Sequence, residues 1–399
     1  MSSRDAVLVL NCGSSSVKSA LFAMDRPGSR LLSAAIERVA TPQAQLRVEG
    51  DGGEHDERVD APDHDAAIEQ LLRRIEVHAP RMRVRAAGHR VVHGGPDCDC
   101  PVRITAALEA RLRELIPLAP LHLPHNLAGI AAIGTRRPDL LQVACFDTAF
   151  HAGLPRVARL TGLPRELEGE GIRRYGFHGL SCEYVLEELR TREGSAAARG
   201  RIVIAHLGNG ASMTAVRDGR GVETSMGFST LAGLLMGTRC GDLDPGIVLY
   251  LLQARGMSGE TLEDLLYRRS GLLGVSGMSR NMEDLLQRQE LAEVREAIEL
   301  FCYRARSHLG ALVTVLGGLD RLVFTGGIGA QAPEIRERIA AELEFLGVAI
   351  DGERNRAQQR TISPPGAAVT VQAFPTDEET IIASHTQRLT GSEEESHHA

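Results

Sequence analysis

Residues 8–22 read LVLNCGSSSVKSALF, a polar turn of glycine and serine between two apolar segments. Alternating and β-branched apolar residues on both sides predict two strands joined by a tight turn. A second stretch, IVIAHLGNGASMTAV at residues 202–216, is built in the same way. Laid over residues 7–21 without gaps, it places Gly208 on Gly13. Two such hairpins about half a chain apart indicate an internal duplication, with one hairpin opening each half.

A third glycine-rich turn, TGGIG at residues 325–329, follows a predicted strand at 321–324 and leads into a helix with Pro333 near its first turn. It lacks the full G-x-G-x-x-G pattern of dinucleotide-binding proteins. The opening hairpin is not a P-loop either, because Lys18 is not followed by serine or threonine after G-x-x-x-x-G. What remains is a two-lobed protein with a glycine turn in each lobe facing one cleft.

Length and composition limit the protein class. A chain of 399 residues predicts two domains rather than one core. Its formal charge of −7 argues against a general binder of nucleic acid or of an anionic membrane. No apolar run approaches the roughly 20 residues of a membrane helix, and no export signal opens the chain. The seven scattered cysteines are therefore expected to be reduced thiols of a cytoplasmic protein.

Between the glycine turns the sequence pattern is that of an α/β protein. It predicts helices at 125–137, 179–194 and about 285–316, a buried strand within 140–150, and a hairpin with loop at 40–64. The lobe boundary is expected near residue 150. The chain end, GSEEESHHA at 391–399, is expected to be a disordered tail.

Four short clusters carry residues suited to chemistry. They are GHRVVHGG (88–95) with Arg90 and His93, FDTAFH (146–151) with Asp147, YGFHGLS (175–181) with His178, and MGTRCGDLDPG (236–246) with Arg239. Each has a plain structural explanation, since arginine can pin a loop, histidine can pack and aspartate can cap a turn. His122 and His125 lack a nearby third metal ligand, so packing or capping is the better interpretation.

The four clusters together match the needs of phosphoryl transfer. Two arginines in glycine-bounded loops can bind a tetrahedral anion with forked hydrogen bonds. Glycine turns can bind a nucleotide, and a carboxylate together with an amide can bind magnesium. This chemistry depends on positioning and charge neutralisation more than on covalent catalysis.

Over nearly its whole length the sequence resembles the acetate kinases, the family of short-chain acyl kinases. The resemblance rests on an ordered series of motifs: VLNCGSSSVKSALF, GHRVVHGG, FDTAFH, YGFHGLS, IAHLGNGAS, GLLMGTRCGDLDPG, SGLLGVSG, FTGGIG and TDEE. It implies two duplicated ribonuclease-H-like domains of the actin-like ATPase type around a central cleft. The N-terminal lobe would be 1–150 plus a returning helix at about 377–390. Residues 151–376 would bind nucleotide and pair two chains into a homodimer.

The resemblance also implies a role for each matching residue. The catalytic residues would be Arg90, Asp147, His178 and Arg239. Magnesium, or manganese, would be held by Asn11 and Glu378. ATP or ADP would be contacted by Ser14, Ser16, Lys18, His206, Gly208, Asn209, Gly210, Asn281, Met282, Glu283, Gly327 and Gly329. The acid would lie among Arg90, Val92, Leu121, Phe177 and Thr230.

The implied activity is reversible, magnesium-dependent transfer of a phosphoryl group from ATP to acetate, giving acetyl phosphate and ADP. Two alternatives stay open: a propionate or butyrate kinase of the same family, and a non-catalytic nucleotide switch of the actin or chaperone kind. A switch would have no need for Arg90, Asp147, His178 and Arg239 together.

The sequence departs from the family pattern at four places. Thr230 replaces the proline that usually walls the acid pocket, which leaves the preferred chain length open. Leu123 replaces an amide in the usual LHNP. The stretch SRNMED (279–284) replaces SSDFRD, which leaves the preferred base open, and GGIGAQ replaces GGIGEN.

Overall fold

The two sequence hairpins each open a β-sheet. The structure, a computed structural model, describes residues 4–13, 15–50 and 53–396, with the backbone alone for 392–396. Within these residues the strands are β1 (Arg4–Cys12), β2 (Ser16–Ala23), β3 (Arg30–Glu37), β4 (Gln45–Gly50), β5 (Gly53–Arg58), β6 (Met82–Val91), β7 (Val102–Arg103), β8 (Leu141–Phe146), β9 (Ile202–Leu207), β10 (Ala211–Arg217), β11 (Arg220–Thr224), β12 (Arg321–Thr325) and β13 (Thr370–Ala373).

The two sheets share one five-strand plan. The first has the order β5-β4-β3-β2-β1-β6-β8-β7, and the second has the order β11-β10-β9-β12-β13. The segment β3-β2-β1-β6-β8 of the first sheet corresponds to the whole second sheet, β11-β10-β9-β12-β13. In each, the first two neighbouring pairs of strands are antiparallel and the last two pairs are parallel. This identity of order and direction confirms the predicted duplication. The hairpin at 45–58 also forms where a hairpin was predicted.

The helices of the described residues cover the sheets and connect their strands. They are α1 (His64–His78), α2 (Ala106–Glu114), α3 (Leu123–Arg136), α4 (Arg156–Arg159), α5 (Arg165–Gly169), α6 (Gly179–Glu193), α7 (Pro245–Gln253), α8 (Gly259–Arg268), α9 (Gly271–Ser276), α10 (Met282–Leu286), α11 (Ala292–Leu316), α12 (Gly326–Gln331), α13 (Pro333–Ala340), α14 (Gly352–Arg356) and α15 (Glu378–Ser396).

The chain divides into two compact units. Unit 1 comprises residues 1–150 and 377–399, and unit 2 comprises 151–376. The core of unit 1 lies between its sheet and helices α1 and α3. On unit 1 the final helix α15 packs closely on β6: a Cβ atom at Gly88 would lie 2.3 Å from Oγ1 of Thr386. Glycine at position 88 therefore allows the close approach of a helix from the other end of the chain.

Three element predictions differ from the structure. The helical stretch at 285–316 is broken after α10, and α11 begins only at Ala292. The glycines at 326–329 form α12 itself, and Pro333 begins a separate helix. Helix α15 runs to Ser396, so residues 391–396 are helical where a disordered tail was expected at 391–399, and residues 397–399 lie outside the described residues.

The state of the cysteines and the character of the helices can be stated for the described residues. All seven cysteines lie in the described residues and none is disulfide-bonded. No helix within 4–13, 15–50 and 53–396 has the length and apolar character that crossing a membrane requires.

Candidate functional site

One edge of the first sheet collects the predicted polar residues of unit 1. Strands β1, β6 and β8 are parallel neighbours, so their carboxyl ends meet at the same edge. Asn11 lies near the end of β1, Arg90 near the end of β6, and Asp147 directly after β8. The backbone N–H of Asp147 donates to the carbonyl of Val91 at 3.0 Å, which extends the pairing of β6 and β8 by one residue. The strand order thus gathers residues far apart in sequence.

Arg90 and Asp147 form a forked ion pair at this edge. Nε of Arg90 lies 3.2 Å from both carboxylate oxygens of Asp147, and Nη2 donates to Oδ2 at 2.7 Å. Nη1 lies 3.2 Å from Oε2 of Glu378. Burial lowers the pKa of Arg90, but the two carboxylates outweigh that effect and raise the pKa above its ordinary value. The guanidinium is therefore a permanent cation held in one orientation from two sides.

The acidic run Asp377, Glu378 and Glu379 divides between two arginines. Arg30 of β3 donates to both carboxylate oxygens of Asp377 at 2.7 Å and forms an ion pair with Glu379. Glu378 contacts Arg90 instead. Of these three carboxylates, the structure thus brings Glu378 to the edge that holds Asp147.

Asn126 joins the ends of β1 and β6, and sequence reasoning missed it. Its Nδ2 donates to the carbonyl of Cys12 at 2.9 Å, and its Oδ1 accepts from the N–H of Val92 at 3.0 Å. The side chain is buried in the apolar face of α3. A polar residue on that face was the available signal, because buried amides are retained where they satisfy backbone groups. Asn126 therefore ties together the ends of the two strands that carry Asn11 and Arg90.

The first hairpin places Lys18 directly opposite Asn11. The turn closes through the N–H of Gly13, which donates to the carbonyl of Ser16 at 2.8 Å. Ser14, predicted to contact the nucleotide, lies outside the described residues. His93 turns back onto its own loop, where its Nδ1 accepts from the N–H of Gly95 at 2.9 Å.

In unit 2, His178 and His206 stack with ring centroids 4.1 Å apart and planes inclined by 11°. Nδ1 of His178 lies 2.9 Å from Oγ of Ser212, and Nδ1 of His206 lies 2.8 Å from Oγ of Ser181. His178 has a left-handed backbone, with φ 58° and ψ 31°, directly before α6. Such a conformation is unfavourable for a non-glycine residue and is typical of functional sites. The serine contacts set the orientation of both rings.

Arg239 is a buried cation, with 8% of the residue exposed. Its Nη1 donates to the carbonyl oxygen of Thr230 at 2.6 Å. Burial lowers its pKa to about 10, and nearby Tyr267 acts in the opposite direction. Among the described residues, no carboxylate forms an ion pair with Arg239. A desolvated guanidinium without a counter-charge is a strong receptor for an anion.

Arg239 and His178 converge on Gly210. A Cβ atom at Gly210 would lie 2.7 Å from Nη2 of Arg239 and 3.3 Å from Nε2 of His178. Glycine therefore keeps open the space into which both side chains project. The sequence placed these three residues in separate motifs, and the fold of unit 2 brings them together.

The two aspartates after Arg239 are structural. Asp244 caps α7, accepting from the N–H of Gly246 at 2.8 Å. Asp242 accepts from the N–H of Gly233 at 2.7 Å and lies 3.2 Å from Nε2 of His308. Burial raises the pKa of Asp242, but its hydrogen bonds with His308 and Gly233 outweigh burial and lower it. These contacts fold the loop that carries Arg239.

Unit 2 contains a cavity of about 750 Å³, within the range of small-molecule sites. Its lining includes six residues predicted to contact nucleotide: Gly208, Asn209, Asn281, Met282, Glu283 and Gly327. Gly329 does not line it, although every residue of unit 2 is described; a Cβ there would instead lie 3.3 Å from the carbonyl oxygen of Ala205 in β9. The cavity thus joins a glycine-rich end to a wall formed by α10 and the start of α13.

Arg336 supports α12 from behind and is fully buried. Its Nη1 donates to the carbonyl oxygens of Gly329 and Ala330 at 3.0 and 2.9 Å, and its Nε donates to Oδ1 of Asn355 at 2.7 Å. Burial lowers its pKa to about 10. The sequence pattern predicted a helix here but assigned no role to Arg336.

The remaining predicted residues divide between the units. Val92 is buried and Leu121 half-buried in unit 1, while Phe177 and Thr230 are buried in unit 2. The Thr230 hydroxyl has no hydrogen-bond partner among the described residues. Unit 1 also has a cavity of about 590 Å³ beside α1 and α3, and it contains none of the predicted site residues.

The chain is similar to known proteins over nearly its whole length. The family model described as the acetokinase family matches residues 6–384. An acetate kinase of Rhodopseudomonas palustris strain TIE-1 is 48% identical, with 96% of this chain and 98% of the relative aligned. An acetate kinase of Methylocella silvestris is 46% identical, with 96% and 97% aligned.

Two solved structures have the same fold. The crystal structure of Porphyromonas gingivalis acetate kinase matches with a TM-score of 0.85 and 37% identity, covering 96% of this chain and 99% of that one. A propionate kinase from Francisella tularensis matches with a TM-score of 0.88 and 36% identity, covering 97% and 100%.

Proposed function

The chain belongs to the acetokinase family, and from this premise we propose that it transfers the terminal phosphoryl group of ATP to acetate. The products are acetyl phosphate and ADP, and the reaction is reversible. The observation that carries the proposal is Arg239, a buried guanidinium that has no carboxylate partner among the described residues and converges with His178 on Gly210.

Arg239 and His178 are assigned to the phosphoryl group in flight. Its equatorial oxygens carry charge through the transition state, and fixed donors that point at them lower the barrier. Arg239 keeps its proton at neutral pH, because even the lowered pKa is about 10. A His178 ring whose Nδ1 accepts from Ser212 carries its proton on Nε2 and can donate to an anionic oxygen.

Arg90 is assigned to the carboxylate of the acid substrate. A short carboxylic acid is ionised at neutral pH, so it needs a cation and no general base. Asp147 accepts hydrogen bonds from both Nε and Nη2 of Arg90, which fixes the orientation of the guanidinium, while Nη1 forms the ion pair with Glu378. We therefore assign Asp147 the role of orienting Arg90 rather than removing a proton.

Asn11 and Glu378 are assigned to the divalent metal. One amide oxygen and one carboxylate make a small set of hard oxygen donors, which fits magnesium because this ion takes its other ligands from water and substrate phosphates. Both residues belong to unit 1, and Glu378 is held beside Arg90. When bound, magnesium or manganese would neutralise phosphate charge.

The cavity of unit 2 is assigned to ATP or ADP, because its glycine-rich end consists of Gly208, Asn209 and Gly327. Backbone can approach a phosphate closely where side chains are absent. Its volume of about 750 Å³ is adequate for a nucleotide.

Acetate, rather than a longer acid, is the proposed acceptor. Acyl hydroxamate formation with ATP and magnesium tests this directly with acetate, propionate and butyrate. We expect acetate to give the highest kcat/KM, with propionate within about 200-fold, since one methylene is worth about 1–3 kcal/mol. A strong preference for butyrate would refute acetate as the substrate. No product with any acid, while ADP still binds, would favour the nucleotide switch.

We also propose a homodimer formed through unit 2. Helix α7 buries none of its residues, and Ile247, Leu249 and Tyr250 are 44%, 53% and 56% exposed. Contiguous exposed apolar residues on one helix are typical of an interaction surface. A second copy of the chain is the proposed occupant.

A further inference from the structure

Three acidic residues line the far wall of the nucleotide cavity, and their surroundings differ. Asp284 accepts from the hydroxyl of Ser279 at 2.6 Å and also binds the Asn281 amide. Glu334 forms an ion pair with Arg338. Glu283, exposed on α10, has neither a cation nor a hydrogen-bond donor for its carboxylate among the described residues of the chain. One carboxylate on this wall is therefore available to a ligand.

The cavity lining contains no lysine or arginine. The lining around α10 is built from carboxylates, amides and the apolar side chains of Met282, Leu286 and Ile328. Apolar side chains can pack on the faces of a planar base, and polar groups at the rim of the cavity can form hydrogen bonds with the edge of that base. A free carboxylate is an acceptor only, so it selects an edge that offers donors.

We infer that Glu283 makes this chain accept guanine nucleotides at least as well as adenine nucleotides. Guanine presents two adjacent donors on one edge, the ring N1–H and the exocyclic N2 amino group, which match the two oxygens of a carboxylate. Adenine offers one amino donor beside an unprotonated ring nitrogen, and that nitrogen repels the second oxygen. The inference rests on the proposed function for the presence of a nucleotide in this cavity.

The size of the effect follows from the chemistry of base recognition. A good bidentate contact to a base edge discriminates against the wrong base by roughly tenfold or more. Glu283→Gln keeps the length of the side chain and removes the charge. We expect this variant to lower the preference for GDP over ADP about tenfold relative to the unaltered chain, mainly through weaker GDP binding.

The test measures dissociation constants of GDP and ADP, with magnesium, for the unaltered chain and for Glu283→Gln. Glu334→Gln is the matched control, because it is the same substitution in the same wall at a carboxylate already paired with Arg338. Its ratio of GDP to ADP affinity should stay within twofold of the unaltered chain. Turnover with GTP and ATP is measured in parallel.

The outcomes separate the inference from the function on which it rests. A ratio that stays within twofold in Glu283→Gln overturns the inference, and so does an unaltered chain that binds ADP but not GDP. Equal losses of affinity for GDP and ADP would indicate that Glu283 contacts the ribose hydroxyls, and this result would also overturn the inference. Failure of both GTP and ATP to support acyl phosphate formation would contradict the proposed function, while the binding ratio would still decide the role of Glu283.

Discussion

Arg239 and His178 meet over Gly210, where a single added carbon would lie within 2.7 Å of the guanidinium and 3.3 Å of the imidazole. The two side chains come from loops about 60 residues apart in sequence. Their convergence defines the space in which we expect the phosphoryl group to be stabilised.

Arg239→Lys should lower kcat by about 10²–10³-fold, because lysine cannot reproduce the forked donors that follow charge into the transition state. The fold should persist, since the substitution keeps a cation in the same place. Steady-state hydroxamate assays and thermal unfolding measure the two effects. Arg220→Lys, an exposed arginine of β11, is the control and should behave as the unaltered chain. Near-normal turnover of Arg239→Lys would remove Arg239 from the proposed mechanism.

Gly210→Ala should lower kcat with less effect on nucleotide affinity. The new methyl group would displace Arg239 Nη2 or the His178 ring, and a misplacement of about 1 Å can cost about 10²-fold in rate. Gly310→Ala in α11 is the control, because a Cβ atom there meets nothing within 4 Å. Equal activity of the two variants would show that the space over Gly210 is not used in the reaction.

Asp147→Asn should raise the KM for acetate by roughly tenfold or more and leave the KM for ATP nearly unchanged. The asparagine keeps the shape but loses the charge-assisted fork to Arg90. Breaking this buried ion pair should also cost about 3 kcal/mol of unfolding free energy. Asp97→Asn is the control, since its partner Arg111 is half exposed. A fall in kcat with KM unchanged would instead support a role for Asp147 in proton removal.

His151 should make the protein less stable as the pH falls from 6.5 to 4. Burial lowers its pKa to about 4, against the hydrogen bond with the carbonyl of Phe177, which raises it. In this window the unfolded chain binds a proton that the folded chain does not, so the free energy of unfolding falls by up to about 3 kcal/mol as the pH is lowered from 6.5 to 4. Denaturant unfolding between pH 4.5 and 7.5 measures the slope.

His151→Gln removes this titration and should give a shallower pH dependence than the unaltered chain. His55→Gln, at an exposed ring, is the control and should keep the original slope. An unchanged slope in His151→Gln would show that folding does not lower the pKa of this histidine.

Leu249→Glu should convert the proposed dimer into a monomer, because it places a charge in the exposed apolar face of α7. Size-exclusion chromatography coupled to light scattering measures the molar mass of the protein in solution. Val77→Glu, at a 65% exposed position of α1 in unit 1, is the control and should leave the mass unchanged. A monomeric unaltered chain would contradict the dimer.

The duplicated hairpins could be predicted because glycine turns and alternating apolar residues are local signals. The helical conformation of Gly326–Gln331 could not be predicted, because glycines in isolation favour a turn. The hydrogen bond that supports this helix comes from Arg336, which belongs to another helix. The four chemical clusters were visible as motifs. The contact of Arg90 with Asp147 and the convergence of Arg239 with His178 could not be predicted. Both depend on strand order and loop packing, which no single motif encodes.

Asn126 and Arg336 were missed for a related reason. Each is a polar side chain whose partners lie in other segments, the carbonyl of Cys12 for Asn126 and the amide of Asn355 for Arg336. Buried polar groups of this kind satisfy backbone and side-chain atoms that are distant in sequence. Local periodicity therefore gives no indication of their role.

The return of α15 to the first sheet has a consequence for biosynthesis. Ile382 and Thr386 are fully buried in unit 1, so residues 1–150 lack one layer of their core until residues 377–390 have been translated. The unit at 151–376 needs no such segment and can acquire its structure earlier. A nascent chain stalled before residue 377 would thus expose the apolar surface of β6 to chaperones and proteases, and it would also lack Glu378.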